Sequence, residues 1–238
     1  MLHEDEGVFR AVQKLVLAGE YRDELPGRPG EDLAGGGAFE RAPDGRMRRL
    51  HWRGDPGFRA GRRAGRIPAL PPLTPAPAAA VAELESVLGR PLPALLRRCY
   101  RELGDGGFGP AYGLPGLAGR RPFHPGTMLE SYLAQRKWPQ PWRERAEALL
   151  PLCDWGCGVQ SFVDLSDPAA PMWALDPHAG TAGQLGLLLF RQPLTLAEWL
   201  ARWVATDLHQ PALIRDDRTG RLRPAVDADY EKGWLQVA

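Results

Sequence analysis

A proline-rich stretch at residues 67–77 constrains the fold of this chain more than any other feature of its sequence. Five of its eleven residues are proline, in the order Ile-Pro-Ala-Leu-Pro-Pro-Leu-Thr-Pro-Ala-Pro. Proline lacks a backbone N–H and fixes φ, so such a run cannot continue a helix or a central strand and favours an extended form. The sequence therefore predicts a boundary here, with an N-terminal helix and an Arg/Gly-rich extension or insert at residues 1–69 and the main domain at residues 70–238.

The segment before the prolines divides into a helix and a basic block. A helix is predicted over residues 8–24 from apolar residues that share one face, namely Val8, Val12, Leu15 and Val16. Residues 26–66 are rich in glycine and arginine, and we interpret them as a loosely ordered insert with one hairpin, whose strands lie at 39–41 and 47–52. Residues 1–40 carry a net charge of −5 and residues 41–66 one of +7, so the basic character is confined to one block.

Helices and strands segregate after the prolines. The spacing of apolar residues predicts helices and then short strands, with the helices at 78–88, 93–103 and 127–137 and the strands at 148–153, 158–164, 171–176 and 185–191. A last helix over 196–207 begins with a capping box of Thr195 and Glu198, and a hairpin follows within 211–238. Helices grouped before a run of strands predict an α+β fold, with a mostly antiparallel central sheet flanked by helices.

Four segments of the main domain resemble the SUKH superfamily, which includes fungal SMI/KNR-type regulators and many bacterial immunity proteins. They are an entry pair of helices, a glycine-rich turn, a strand region with Asp-Pro turns and a closing helix, at residues 82–100, 104–114, 150–177 and 195–200. In the glycine-rich turn, Asp105 stands where the family usually has asparagine. The resemblance covers about residues 70–207 and implies a SUKH-like fold. It also implies a non-enzymatic protein-binding domain.

The function that the resemblance favours is that of an immunity protein, which binds and neutralises a secreted toxin domain. The alternative within the family is a regulatory scaffold of SMI/KNR type. Acidic turn residues can steer a basic partner, and aromatic side chains commonly anchor protein interfaces. We therefore predict a protein-binding surface formed by Asp105, Phe108, Tyr112, Asp154, Trp155, Asp164, Asp167, Trp138 and Trp142.

A second hypothesis is a hydrolase or metal-dependent enzyme that uses the aspartates near residues 154–176. Paired carboxylates can perform acid–base chemistry or bind a hard cation, and the candidates are Asp154, Asp164, Asp167 and Asp176. Aspartate before glycine or proline is more often a turn former, however. Cys153 and Cys157 have no second cysteine pair to complete a zinc site. We accordingly expect no catalytic residue, no cofactor and no metal.

The basic block is the one feature that suggests nucleic-acid contact. Residues 46–66 begin with Arg46, end with Arg66 and contain His51, Trp52 and Phe58, so that arginines could contact phosphates and aromatic rings could stack on bases. A solvated loop, or one that pairs with the acidic residues 1–40, is the favoured interpretation.

The composition predicts a cytoplasmic bacterial protein. The first residues are acidic without a following apolar run, so we expect no signal peptide, and no stretch approaches the roughly 18–20 apolar residues that span a bilayer. Three cysteines, Cys99, Cys153 and Cys157, cannot all pair with one another, which favours reduced thiols. The preference for Arg, Ala, Gly and Pro is typical of a GC-rich bacterial genome.

Overall fold

A computed structural model describes residues 2–28, 38–42, 45–121, 124–140, 142–179 and 188–231. The helices are α1 (Leu2–Leu17), α2 (Phe58–Arg63), α3 (Ala78–Leu88), α4 (Ala94–Glu102), α5 (Met128–Gln135), α6 (Trp142–Ala146), α7 (Leu196–Ala205) and α8 (Asp227–Glu231). The strands are β1 (Glu24–Pro26), β2 (Phe39–Arg41), β3 (Met47–Trp52), β4 (Leu149–Gly156), β5 (Val159–Asp164), β6 (Pro171–Leu175), β7 (Leu189–Thr195), β8 (Leu213–Arg215) and β9 (Leu222–Pro224).

The centre of the fold is an antiparallel sheet, in which the described strands follow the order β4-β5-β6-β7. Each strand pairs with the next one along the chain. The predicted α+β fold with a mostly antiparallel sheet flanked by helices is confirmed. The strand predicted over 185–191 is displaced, because β7 begins at Leu189 and ends at Thr195; residues 185–187 of that prediction lie outside the described residues.

The two faces of the sheet pack against different apolar clusters, because successive side chains of a strand point to opposite sides. One face joins the main core through Leu150, Leu152, Val163 and Met172. The other contacts a smaller cluster that contains Leu149, Phe162 and Leu175. The main core also contains Tyr100 of α4 and Trp199 of α7, which are fully buried. Burying a side chain of leucine or phenylalanine size stabilises the fold by about 1.5–3 kcal/mol.

Helix α1 belongs to the main core. Its predicted apolar face is buried against α4 and α7, and Phe9, which is 1% exposed, packs there as well. The helix spans Leu2–Leu17 rather than the predicted 8–24. It ends where Gly19 takes a left-handed φ of 64° and the N–H groups of Gly19 and Glu20 donate to the carbonyls of Val16 and Leu15. Residues on both sides of the predicted boundary at 69 thus contribute to one core.

The N-terminal lobe, which we define as the described residues between 20 and 67, contains more structure than the sequence predicted. The hairpin of β2 and β3 forms at the predicted residues, although residue 44 of its turn lies outside the described part. Strand β1 and helix α2 were missed, because elements of three to six residues leave too short a periodic pattern. They bury Leu25, Phe58 and Ile67 in a small cluster of their own.

The basic block folds back on the acidic segment that precedes it. Arg59 Nη1 and Arg62 Nε lie 2.6 and 3.1 Å from the carboxylate of Glu20, whose side chain is 6% exposed. Arg53 Nη2 lies 3.5 Å from Asp23 Oδ1. The interpretation that the block pairs with acidic residues in 1–40 is confirmed for these three arginines. The opposite net charges of the two segments therefore partly neutralise each other within one lobe.

Candidate protein-binding surface

The glycine-rich loop, residues 104–117, folds back on itself. Gly107 N donates to Leu114 O at 2.8 Å, and Leu114 N donates to Phe108 O at 2.7 Å. Gly113 has a φ of 84°, and a Cβ on it would lie 2.7 Å from the carbonyl carbon of Gly107, so only glycine fits. The close packing of the loop gives it one defined shape.

Two residues that we predicted for the surface lie inside the protein, which corrects that part of the prediction. Phe108 is 0% exposed, and its ring centroid lies 5.7 Å from that of Tyr100. Asp105 is 7% exposed and accepts hydrogen bonds from Leu117 N at 2.6 Å and Ala118 N at 3.2 Å. The inward fold of the loop carries both side chains away from solvent. They hold the loop in place.

A second anchor ties the loop to the N-terminal lobe. Ala111, which has a left-handed φ of 49°, donates its backbone N–H to Asp23 Oδ2 at 2.8 Å. Burial raises the pKa of the Asp23 carboxyl, whereas the N–H of Ala111 and the guanidinium of Arg53 oppose that rise. The carboxylate thus accepts a hydrogen bond from the loop on one side and faces a cation on the other.

Arg53 connects this anchor to the end of helix α7. Its side chain is 1% exposed and donates to Trp203 O at 2.6 Å and to Val204 O at 3.0 Å. These carbonyls belong to the last turn of α7, where acceptors lack i+4 helical partners and a positive charge is favoured. Trp203 O also accepts the N–H of Thr206 at 3.1 Å. The guanidinium also lies 5.1 Å from the centroid of the Trp203 ring. Lobe, loop and helix therefore meet at one buried ion pair.

The loop presents Tyr112 to solvent beside the turn that joins β4 and β5. Tyr112 is 43% exposed, and a Cβ on Gly156 would lie 3.9 Å from its hydroxyl oxygen. Asp154 accepts a hydrogen bond from Gly156 N at 2.8 Å, which places its carboxylate in the same turn. Two of the predicted surface residues are thus neighbours, an aromatic side chain and an acid.

His124 completes this surface and was not predicted. Burial lowers the pKa of its imidazole, while the backbone carbonyls of Gly113 and Tyr112 and, more weakly, the Asp154 carboxylate raise it. The imidazole is therefore close enough to the Tyr112–Gly113 backbone and to Asp154 for both to act on its charge. His124 is separated along the chain from both the loop and the β4–β5 turn, so no sequence pattern indicates that it lies near them. We call Tyr112, His124 and Asp154 the Tyr112 surface.

The remaining predicted residues do not join the Tyr112 surface. Trp155 is partly buried against the main core and donates Nε1–H to Ser161 Oγ at 2.9 Å. Trp138 and Trp142 pack against the cluster on the other face of the sheet, where the ring centroids of Trp138 and Phe162 are 6.3 Å apart. These tryptophans cover the core.

Asp164 and Asp167 lie at the opposite end of the β4–β5 hairpin. In the register of that hairpin Asp154 faces Gln160, whereas Asp164 faces Leu149. Four residues of strand separate the two ends, which corresponds to about 13 Å at roughly 3.3 Å per residue. The predicted surface is therefore divided, and only Tyr112 and Asp154 come together.

The four aspartates of the enzyme hypothesis share one structural role. Each accepts a hydrogen bond through Oδ1 from the backbone N–H two residues later, and the acceptors are Asp154, Asp164, Asp167 and Asp176. Asp176, which is 5% exposed, also accepts from Leu213 N at 2.8 Å and so attaches the C-terminal hairpin. Among the described residues, His, Cys, Asp and Glu form no group of three that could hold a metal ion.

The cysteines are free thiols, and their surroundings differ. Cys99 and Cys153 are buried, whereas Cys157 is exposed. Burial raises the pKa of Cys99 to about 12 and that of Cys153 well above its ordinary value. Cys153 donates Sγ–H to Pro110 O at 3.6 Å, which adds a contact beneath the loop. The two buried thiols therefore act as small apolar side chains.

No family model, curated protein or solved structure matches this chain. No helix in the described ranges is long and apolar enough to cross a membrane.

Proposed function

We propose that this chain is a non-enzymatic protein-binding domain of the immunity-protein kind, which binds and neutralises a cognate toxin in the bacterial cytoplasm. The observation that carries the proposal is the Tyr112 surface. An exposed aromatic side chain extends from a loop that is held by Asp105 beneath it and by Asp23 beside it. A preformed aromatic anchor loses little entropy on binding, which is why such residues commonly dominate protein interfaces.

The charge of the surface suits a basic partner. Asp154 supplies a carboxylate beside the anchor. Charges at the rim of an interface mainly accelerate association, whereas the buried aromatic contact determines how slowly the complex dissociates. The SUKH resemblance of residues 70–207 supports the same function.

A binding experiment with a secreted toxin domain encoded beside this chain tests the proposal. We expect Tyr112→Ala to weaken the affinity by about 30-fold or more, since central aromatic residues commonly contribute about 2 kcal/mol or more to binding. Leu133→Ala is the matched control, because Leu133 is 42% exposed and lies on α5. The control should bind like the unaltered protein.

Asp154→Asn separates charge from shape, because asparagine also forms this type of turn. We expect a slower association that depends less on salt, with dissociation almost unchanged. Normal binding by both Tyr112→Ala and Asp154→Asn would exclude the Tyr112 surface. Binding of the toxin domain without relief of its toxicity in a growth assay would favour the regulatory scaffold instead.

A further inference from the structure

A groove lies in the N-terminal lobe, and the Tyr112 surface contributes no residue to its lining. It has a volume of about 450 Å³, within the roughly 300–1,000 Å³ of small-molecule sites. Residues of β1, β3, α2 and the adjoining segments line it, and six of these carry side chains that can contact a polar ligand: Glu24, Arg49, His51, Trp52, Asp55 and Arg66. Phe58 and Ile67, which line the groove as well, are almost fully buried and belong to the small apolar cluster of the lobe.

The arginines of this groove differ from the structural arginines of the basic block. Arg53, Arg59 and Arg62 are each paired with Glu20 or Asp23. Arg49 is half-buried and Arg66 exposed, and neither forms a salt bridge within the described residues. Arg49 and Arg66 thus remain at the groove without a salt bridge to another described residue, although the carboxylates of Glu24 and Asp55 line it as well.

Trp52 supplies an aromatic surface at the same place. It is 46% exposed, although tryptophan is commonly well covered, and its ring lies against the Cα of Gly54, where any side chain would collide with it. Support from the glycine backbone fixes the ring while nearly half of its surface stays in solvent. An exposed, supported indole ring can stack on a planar ligand.

Two carboxylates distinguish this groove from a simple polyanion site. Glu24 lies opposite Trp52 in the register of β1 and β3, and Asp55 donates its backbone N–H to Trp52 O at 3.0 Å. Burial raises the pKa of the Glu24 carboxyl, and the Asp23 carboxylate raises it further. A hydrogen bond from an N–H donor stabilises the charged form of a carboxylate in such surroundings. The two carboxylates also repel a ligand that carries only negative charge.

We infer that the groove binds a nucleotide. Its base stacks on Trp52, its phosphate lies at Arg49 and Arg66, and N–H groups of the base donate hydrogen bonds to Glu24 or Asp55. A nucleotide combines an anion, a planar ring and N–H donors, which are the three features that this mixed lining complements. The same chemistry occurs in a free nucleotide and in a single strand of nucleic acid. The site shares no residue with the Tyr112 surface, so either proposal can fail without the other.

Fluorescence anisotropy of the full chain with a labelled single-stranded DNA dodecamer of mixed sequence tests the inference. We expect binding at low salt, and binding about tenfold weaker or more to an abasic dodecamer, which keeps the phosphates but lacks the bases. Competition by GMP would identify a free nucleotide as a sufficient ligand, whereas no competition by GMP would identify the strand. Both results support the site.

Variants then assign the contacts. Trp52→Ala should weaken binding by about tenfold or more, and Trp52→Phe should restore most of it. Arg49→Ala and Arg66→Ala should each reduce the slope of log affinity against log salt by about 0.7, the value for one phosphate of a single strand. Arg136→Ala, at an exposed arginine that follows α5, is the control and should change neither quantity.

Three results would overturn the inference. The first is no binding of either the dodecamer or GMP. The second is equal binding of a polyanion without bases, whether the abasic dodecamer or poly-L-glutamate. The third is unchanged affinity in Trp52→Ala. Equal binding of poly-L-glutamate would show instead that the groove accepts acidic peptides through charge alone. Each variant replaces a residue that is at least partly exposed, and thermal unfolding would verify that the fold is retained.

Discussion

Replacing Arg53 by methionine tests the buried ion pair that joins the N-terminal lobe, the glycine-rich loop and helix α7. The substitution keeps an apolar side chain of similar length and removes the charge. It removes the guanidinium donor from the carbonyls of Trp203 and Val204, of which Trp203 O keeps the N–H of Thr206, and it leaves Asp23 without its cation. Removing one member of a buried pair costs about 3–5 kcal/mol. Asp23 is 23% exposed, so water can partly hydrate it, and we expect the lower half of that range.

The free energy of unfolding can be measured by urea titration, followed by tryptophan fluorescence. Arg59→Met is the matched control, because Arg59 also pairs with an acid, Glu20, but is 61% exposed. An exposed pair contributes at most about 1 kcal/mol, and Glu20 keeps Arg62 in the control.

A double-mutant cycle isolates the interaction of Arg53 with Asp23. We expect Asp23→Asn and Arg53→Met together to cost about 1–3 kcal/mol less than the sum of the single substitutions. If Arg53→Met is no more destabilising than Arg59→Met, the ion pair does not hold the lobe to α7 and the reasoning is wrong.

Two further predictions concern protonation and thiol access. Hydrogen bonds from Thr195 lower the pKa of the Glu198 carboxyl. The contribution of Glu198 to stability should therefore be present above the ordinary glutamate pKa of about 4.3 and be lost as pH falls through the lower pKa of the folded state. In urea titrations Glu198→Ala should destabilise the protein by about 0.5–1 kcal/mol at pH 7 and by less near pH 3, and a pH-independent cost would contradict this. In the native protein a thiol reagent such as Ellman's should titrate Cys157 alone, with Cys99 and Cys153 reacting only after urea denaturation; a second fast thiol would contradict their burial.

The prediction of the fold from the sequence succeeded where structure depends on neighbours along the chain. Helix α3 lies at the predicted residues 78–88, because its apolar residues recur at helical spacing and Gly89 ends it with a left-handed φ of 67°. The capping box of Thr195 and Glu198 forms as predicted, with both hydrogen bonds present. Short elements such as β1 and α2 were missed, since their formation depends on the apolar cluster that they share.

The candidate site was harder to predict. Asp167 and Asp176, which precede proline, were recognised correctly as turn formers, because a carboxylate that accepts from the N–H two residues later is a local arrangement. The burial of Phe108 and Asp105 was missed, since a glycine-rich sequence does not reveal whether a loop folds inward or outward. The groove at Trp52 was anticipated only as a basic block with aromatic residues.

The sequence by itself therefore determined the α+β class, most helix positions, the hairpins and the opposite charges of the first two segments. Only the tertiary structure decided which of those charges are internal and which groups meet. Arg53 bonds the carbonyl of Trp203, 150 positions away, and Tyr112 reaches the turn at Gly156. Contacts of this kind depend on how the elements pack in three dimensions, and no periodicity or spacing along the chain encodes them.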